Sequence, residues 1–322
     1  MKNIMRTFSF GLWLACAQAL AQTYTIGVLE YGTRVAFDPL RAAFREGLRE
    51  NGLVEGQNLR IEYRYADGDY RKVNRLGEDL VRAKAQVIFA PTTWSVHGAK
   101  AATNTIPIVF AGVNDPVAVK FVKSLAKPGG NITGVSIASA ELTAKRLDLM
   151  REAFPSATSI GVVFSEDAAR ACQVELKDIA QAGKQLGMSV RQIPYGERSD
   201  IKAAFDDGRG AGIEAALIPT SMEYRQVGGE LLAQSMSSRI PTMHAGAEAV
   251  ENGGLMSYGP DTRWAYRRAG YYVARILKGA KPSDLPVERP TTYDLVVNLK
   301  TARAMGIKIP QIVLTRATRV IE

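Results

Sequence analysis

The chain has 322 residues, too many for one small core and enough for two domains of about 130 to 150 residues each. Apolar residues make up 46% of it and charged residues 23%, which excludes an intrinsically disordered protein. The formal charge is +9, but Lys and Arg are spread among Glu and Asp with no run of five like charges, which reads as a solvated surface and argues against a nucleic-acid partner.

Residues 1–21 have Lys2 and Arg6 at their start, no acid, an apolar run over 8–15, and small residues at Ala17, Ala19 and Ala21. That is the layout of a secretory signal peptide with its cleavage signal at Ala19-Leu20-Ala21. The run is well short of the ~20 residues a membrane-spanning helix needs, so the mature protein is expected in the periplasm. Cys16 carries a rival reading, a lipid anchor. Cleavage after Ala21 leaves Cys172 as the remaining cysteine, and a lone cysteine forms no internal disulfide.

Short apolar runs then alternate with amphipathic segments. The runs are TIGVL (25–29), LRIEYRY (59–65), QVIFA (86–90), IPIVFAG (106–112), NITGVSI (131–137), SIGVVF (159–164), MSVRQI (188–193), EAALIP (214–219), IPTM (240–243) and GGLMSY (253–258). Between them lie helical patterns such as 38–51, with Leu40, Phe44 and Leu48 on one face. This alternation predicts an α/β protein of two Rossmann-like lobes, each a parallel sheet of five strands covered by helices. After Tyr258, Gly259-Pro260 stops a strand, and Asp261 or Thr262 caps a helix running to Leu277, whose Trp264, Tyr271, Ile276 and Leu277 need a lobe to pack on. A further strand, TTYDLVVN (291–298), follows. Returning that helix to the first lobe makes the Tyr258 corner a hinge.

Open parallel sheets bind ligands at the carboxyl ends of their strands. The candidates by that rule are Glu30, Tyr31, Thr92, Thr93, Trp94, Asn114 and Asp115 in the first half, and Ser165, Glu166, Thr220, Ser221, Gly246 and Tyr258 in the second. Thr92 and Thr93, with Ser95, sit at a helix start where free N–H groups favour a carboxylate, though one of them capping the helix explains them equally well. Tyr31, Trp94 and Tyr258 offer faces for a planar or apolar solute, against the plainer reading of structural aromatics. No nucleophile elbow, dinucleotide fingerprint or Walker loop is present. The histidines, His97 and His244, lack a second His or Cys at ligand spacing, which argues against zinc, and no cofactor is expected.

Several phrases together resemble one family. FREGLRENGLVEGQNLRIEYRYADGD (44–69), IPIVFAGVNDPV (106–117), LAKPGGNITGVS (125–136), GGLMSYGPD (253–261) and ARILKGAKPSDLPVERPTTYDLVVNLKTARAMGI (274–307) are similar to ABC-transporter substrate-binding proteins of the TrpX/YtsQ-like group. The resemblance implies a type I periplasmic-binding-protein fold with three interlobe crossings, near 134–138, 258–260 and 287–291. The lobes are then 22–136 plus 260–289 and 137–259 plus 290–322. It also implies a non-catalytic receptor that holds a small solute, carboxylate-bearing or aromatic, and delivers it to a membrane permease with a cytoplasmic ATPase. Relatives that bind aromatic amino acids often carry an acid at the positions of Ser221 and Ala247. Glu30, Asp115, Glu166, Glu223 or Glu248 is then needed to substitute. Two alternatives stand beside this reading: a ligand sensor for a receptor kinase, and a two-lobe α/β enzyme using Glu30, Asp115 or His97 as acid or base.

Overall fold

The computed structural model describes residues 23–35, 37–138, 142–166, 173–219 and 224–322. The signal-peptide reading of 1–21, Cys16, Cys172, Glu223 and the site candidates Thr220 and Ser221 lie outside the described residues.

The first five apolar runs form strands β1 (Tyr24–Glu30), β2 (Leu59–Tyr65), β3 (Val87–Phe89), β4 (Ile108–Val113) and β5 (Ile132–Ser136). They assemble in the order β2-β1-β3-β4-β5 with every pairing parallel. Ile26, Val28, Phe89 and Val109 face helices Asp38–Glu50 and Thr262–Leu277 on one side. Leu29, Ile88 and Ile108 face Val73–Arg82 and Thr93–Ala102 on the other. Burial on both faces is why these strands read as continuous apolar runs and not as alternating ones.

Helix Thr262–Leu277 follows a strand of the second sheet yet lies on the first. Asp261 starts it, its carboxylate accepting from the Arg263 N–H at 2.8 Å. It crosses helix Asp38–Glu50 so closely that a Cβ on Gly47 would stand 1.9 Å from the Arg267 carbonyl oxygen. Tyr266 and Tyr272 enter the core there, and Tyr266 meets Phe89 edge-on at 5.4 Å. Trp264 departs from expectation. It sits at the helix start, 36% exposed, because the packed face begins at Ala265 and Tyr266.

The second sheet has seven strands where five were expected: β6 (Ser159–Ser165), β7 (Ser189–Tyr195), β8 (Ala215–Ile218), β9 (Thr242–His244), β10 (Met256–Gly259), β11 (Asp294–Asn298) and β12 (Arg319–Ile321), in the order β12-β11-β10-β9-β8-β6-β7. Pairing is parallel except between β10 and β11, which are antiparallel. The exception has a topological cause: the chain leaves β10 for the first lobe and re-enters beside it from the far side. β12 has one exposed and two half-buried residues, so it offers no apolar run to read.

Three segments thus pass between the lobes, after β5, after β10 and before β11. The first and third run side by side, with Glu288 N–H bonded to the Gly134 carbonyl at 3.1 Å and Ser136 N–H to the Glu288 carbonyl at 2.9 Å. Among the described residues no helix is long and apolar enough to cross a membrane.

Candidate functional site

A cavity of about 250 Å³ lies where these crossings meet. Leu40 and Gly112 reach it from the first lobe, and Ile137 from the first crossing. Ile218 and Pro219, after β8, and His244 to Ala249, from the end of β9 onward, come from the second lobe. Pro260 to Arg263 close it from the second crossing, and Asp294 and Arg319 from β11 and β12. The parallel strands β8 and β9 deliver their carboxyl-end loops to it, as an open sheet should.

The charged part of this wall is pre-organised. Glu251 accepts from Arg263 at 3.2 Å and from Arg319 at 2.6 Å. Burial pushes the Glu251 carboxyl up, but the bond from Arg319 and the nearby Arg263 charge outweigh it and hold the group below its usual range. Arg263 and Arg319 are exposed, which puts this cluster at the solvent side. His244 is the opposite extreme, 2% exposed. Its Nε2 lies 2.9 Å from the Thr242 hydroxyl, the Tyr224 ring meets it edge-on at 5.4 Å, and burial pushes its pKa down to about 3. The imidazole is therefore uncharged.

Of the residues expected from sequence, Gly246 borders this cavity. Glu30 is fully buried at the end of β1. Tyr31 donates its hydroxyl to the Gly68 carbonyl at 2.8 Å. Thr92 caps its own helix, accepting from the Ser95 N–H at 3.2 Å and sharing a hydroxyl bond with Ser95 at 2.8 Å; Thr93 is the first helical residue. Trp94 stacks on Tyr70 at 5.1 Å. The Asn114 carbonyl accepts from the Ser136 hydroxyl at 2.6 Å, and the Asp115 carboxylate ties the next turn by accepting from Val117 and Ala118 N–H groups. Ser165 is buried at the end of β6, with Glu166 exposed beside it. Tyr258 packs on the second core and against Tyr293 at 6.1 Å, while its carbonyl accepts from the fully buried Arg146 Nε at 2.8 Å.

The expected aromatic trio does not share a surface: Tyr31 and Trp94 belong to one small cluster of the first lobe, and Tyr258 to the second lobe. Asp294 and Arg319 were missed because their approach depends on the antiparallel return of β11. His244 was seen only as a histidine without a second metal ligand. Glu248, considered as a substitute acid, does line the cavity.

Two α/β lobes, three crossings and a cavity between them define a two-lobed solute-binding protein of the type I periplasmic fold. Residues 25–321 match the family of ABC transporter substrate binding proteins, and the chain belongs to that family. It is 26% identical over 292 residues to a tyrosine-binding protein of Clostridioides difficile (strain R20291), covering 88% of this chain and 81% of the relative. A Streptococcus pneumoniae ABC domain solved in complex with L-Trp is 26% identical, with a TM-score of 0.84 over 93% of this chain and 100% of that one. The ligand-free, open structure of a Clostridium difficile substrate binding protein with adhesive properties, also 26% identical, has a TM-score of 0.69 over 93% and 99%. The function of this chain is accordingly that of an ABC-transporter substrate-binding protein.

Proposed function

We propose that the protein captures an L-amino acid with an aromatic side chain in the interlobe cavity and hands it, unreacted, to a permease powered by a cytoplasmic ATPase. The cavity wall is the observation that carries this reading. Leu40, Ile137, Ile218 and Pro219 supply apolar surface from both lobes, while Glu248, Asp261, Asp294, Arg263 and Arg319 border the same space. A zwitterionic solute needs an acid for its ammonium group and donors for its carboxylate, with apolar walls for the rest. Glu248, next to Ala247, supplies an acid where the resemblance leads one to look for it.

The two relatives of known ligand state support a cleft that closes. At equal identity, this chain superposes better on the L-Trp complex than on the ligand-free, open structure. Lobes made of 22–136 plus 260–289 and of 137–259 plus 290–322 would move about the three crossings. In the open form, Thr92 to Trp94, Asn114, Asp115 and Ser165 to Glu166 stand at strand ends facing the widened cleft. Export through residues 1–21 would place the receptor outside the cytoplasmic membrane, where importers of this family collect their solutes.

Titration calorimetry on residues 22–322 tests the reading, with L-tyrosine, L-tryptophan and L-phenylalanine against leucine, glutamate and a sugar. At least one aromatic amino acid should bind saturably, and Glu248→Gln should weaken it about tenfold or more, the worth of one charge-assisted bond. No heat from any aromatic amino acid, in protein that native mass spectrometry shows to be ligand-free, would overturn it.

A further inference from the structure

We infer that His244 reads the tip of the bound side chain, donating a hydrogen bond from its Nδ1 to a solute hydroxyl and so favouring tyrosine over phenylalanine. The inference rests on the cavity being the amino-acid site proposed above.

The ring is held on several sides. Its Nε2 is engaged by Thr242 at 2.9 Å, and Tyr224 meets it edge-on. A side chain on Gly254 would come within 3.2 Å of its Cδ2. Behind Thr242, the Ser235 hydroxyl donates to the Ile240 carbonyl at 2.8 Å and lies 3.4 Å from the Thr242 hydroxyl. Thr242 and Ser235 are themselves buried. All the packing needed to orient an imidazole is present, yet Nδ1 is shielded from water and has no hydrogen-bond partner among the described residues. Such an atom goes without hydration in the solute-free protein, and a solute oxygen that meets it, after a small shift of the ring toward the cavity His244 borders, removes that loss.

The role of Nδ1 follows from the other nitrogen. An uncharged imidazole has one donor and one acceptor. With the Thr242 hydroxyl donating to Nε2 across 2.9 Å, the proton sits on Nδ1; the other tautomer would make Nδ1 an acceptor for the solute O–H, so a hydroxyl suits either. An N–H donor suits a phenolic oxygen, gains nothing from a phenyl ring, and meets only another donor in an indole N–H.

Depth decides which end of the solute arrives there. Arg263 and Arg319 are exposed, whereas His244 is buried beside Ile218 and the Tyr224 ring. The charged end of an amino acid stays with the arginines and acids near water, and its side chain extends toward His244. A site built to satisfy a hydroxyl rejects the analogue that lacks it, because the buried partner is left unpaired.

Calorimetric affinities for L-tyrosine and L-phenylalanine, measured on the parent protein and His244→Leu, test this. The parent should favour tyrosine by about tenfold or more, and the variant should bring the two solutes close to equal through loss of tyrosine affinity alone. A preference unchanged in the variant, or an equal loss for both solutes, overturns the role of His244 and leaves the amino-acid site standing. A parent protein that binds neither solute sinks the site and this inference together. Should His244→Leu fold poorly, histidine-selective ¹⁵N spectra of the parent decide, since the sequence has 2 histidines, His97 and His244. The His244 Nδ1 resonance should shift with tyrosine and hold with phenylalanine; no shift at saturating tyrosine overturns the inference.

Discussion

Burying an imidazole makes stability depend on pH. His244 has an ordinary pKa near 6.5 in the unfolded chain and about 3 in the fold, where burial disfavours its charged form. The unfolded chain therefore binds the extra proton first, so stability is complete above about 6.5 and falls as the pH drops toward 3, by at most about 1.4 kcal/mol per pH unit. Urea midpoints taken between pH 7 and 4 should fall more steeply for the parent than for His244→Gln, and parallel slopes for the two would remove this cause. The same residue marks what was legible at this scale. Asp261 as a helix cap could be read from Gly-Pro-Asp before an aromatic helix, and Thr92 as a cap from its place after an apolar run, because caps are local. An orphaned nitrogen is not local, since it depends on what Thr242, Gly254 and Tyr224 do in three dimensions.

At the scale of elements, the tightest joint is the crossing of helices Asp38–Glu50 and Thr262–Leu277. A Cβ on Gly47 would meet the Arg267 carbonyl oxygen at 1.9 Å, and one on Gly270 the Phe44 carbonyl oxygen at 2.6 Å. Neither contact is with a flexible side chain, so the helices themselves must separate and Phe44 and Tyr266 must repack. Gly47→Ala is expected to cost about 1–3 kcal/mol, as overpacking does, and to lower the thermal midpoint measurably; a midpoint at or above the parent's would refute the close approach. The alternation of strands and helices was readable because burial on both faces leaves continuous apolar runs. The 5 plus 7 division of strands was not. β12 shows no apolar run, and the antiparallel entry of β11 beside β10 is set by a path through the other lobe, which no local pattern records.

For the whole molecule, the crossings are clasped at both ends, and the clasps say where it bends. On the first-lobe side Glu288 is strapped to Gly134 and Ser136 through its backbone, and its carboxylate takes two bonds of 2.7 Å from Arg268. On the second-lobe side the buried Arg146 holds the Tyr258 carbonyl at the end of β10. Between these anchors lie Ile137 and Pro260, both on the cavity wall. Rotation concentrated there would open the cavity while each lobe keeps its core, and a solute touching both walls would favour the closed arrangement by as much as it prefers that state. Small-angle scattering of residues 22–322 should show a smaller radius of gyration after saturation with an aromatic amino acid that calorimetry shows to bind. The change should reverse on dialysis. Identical curves with and without that bound solute would mean that the lobes do not move about these crossings, and that capture happens in a cleft already closed.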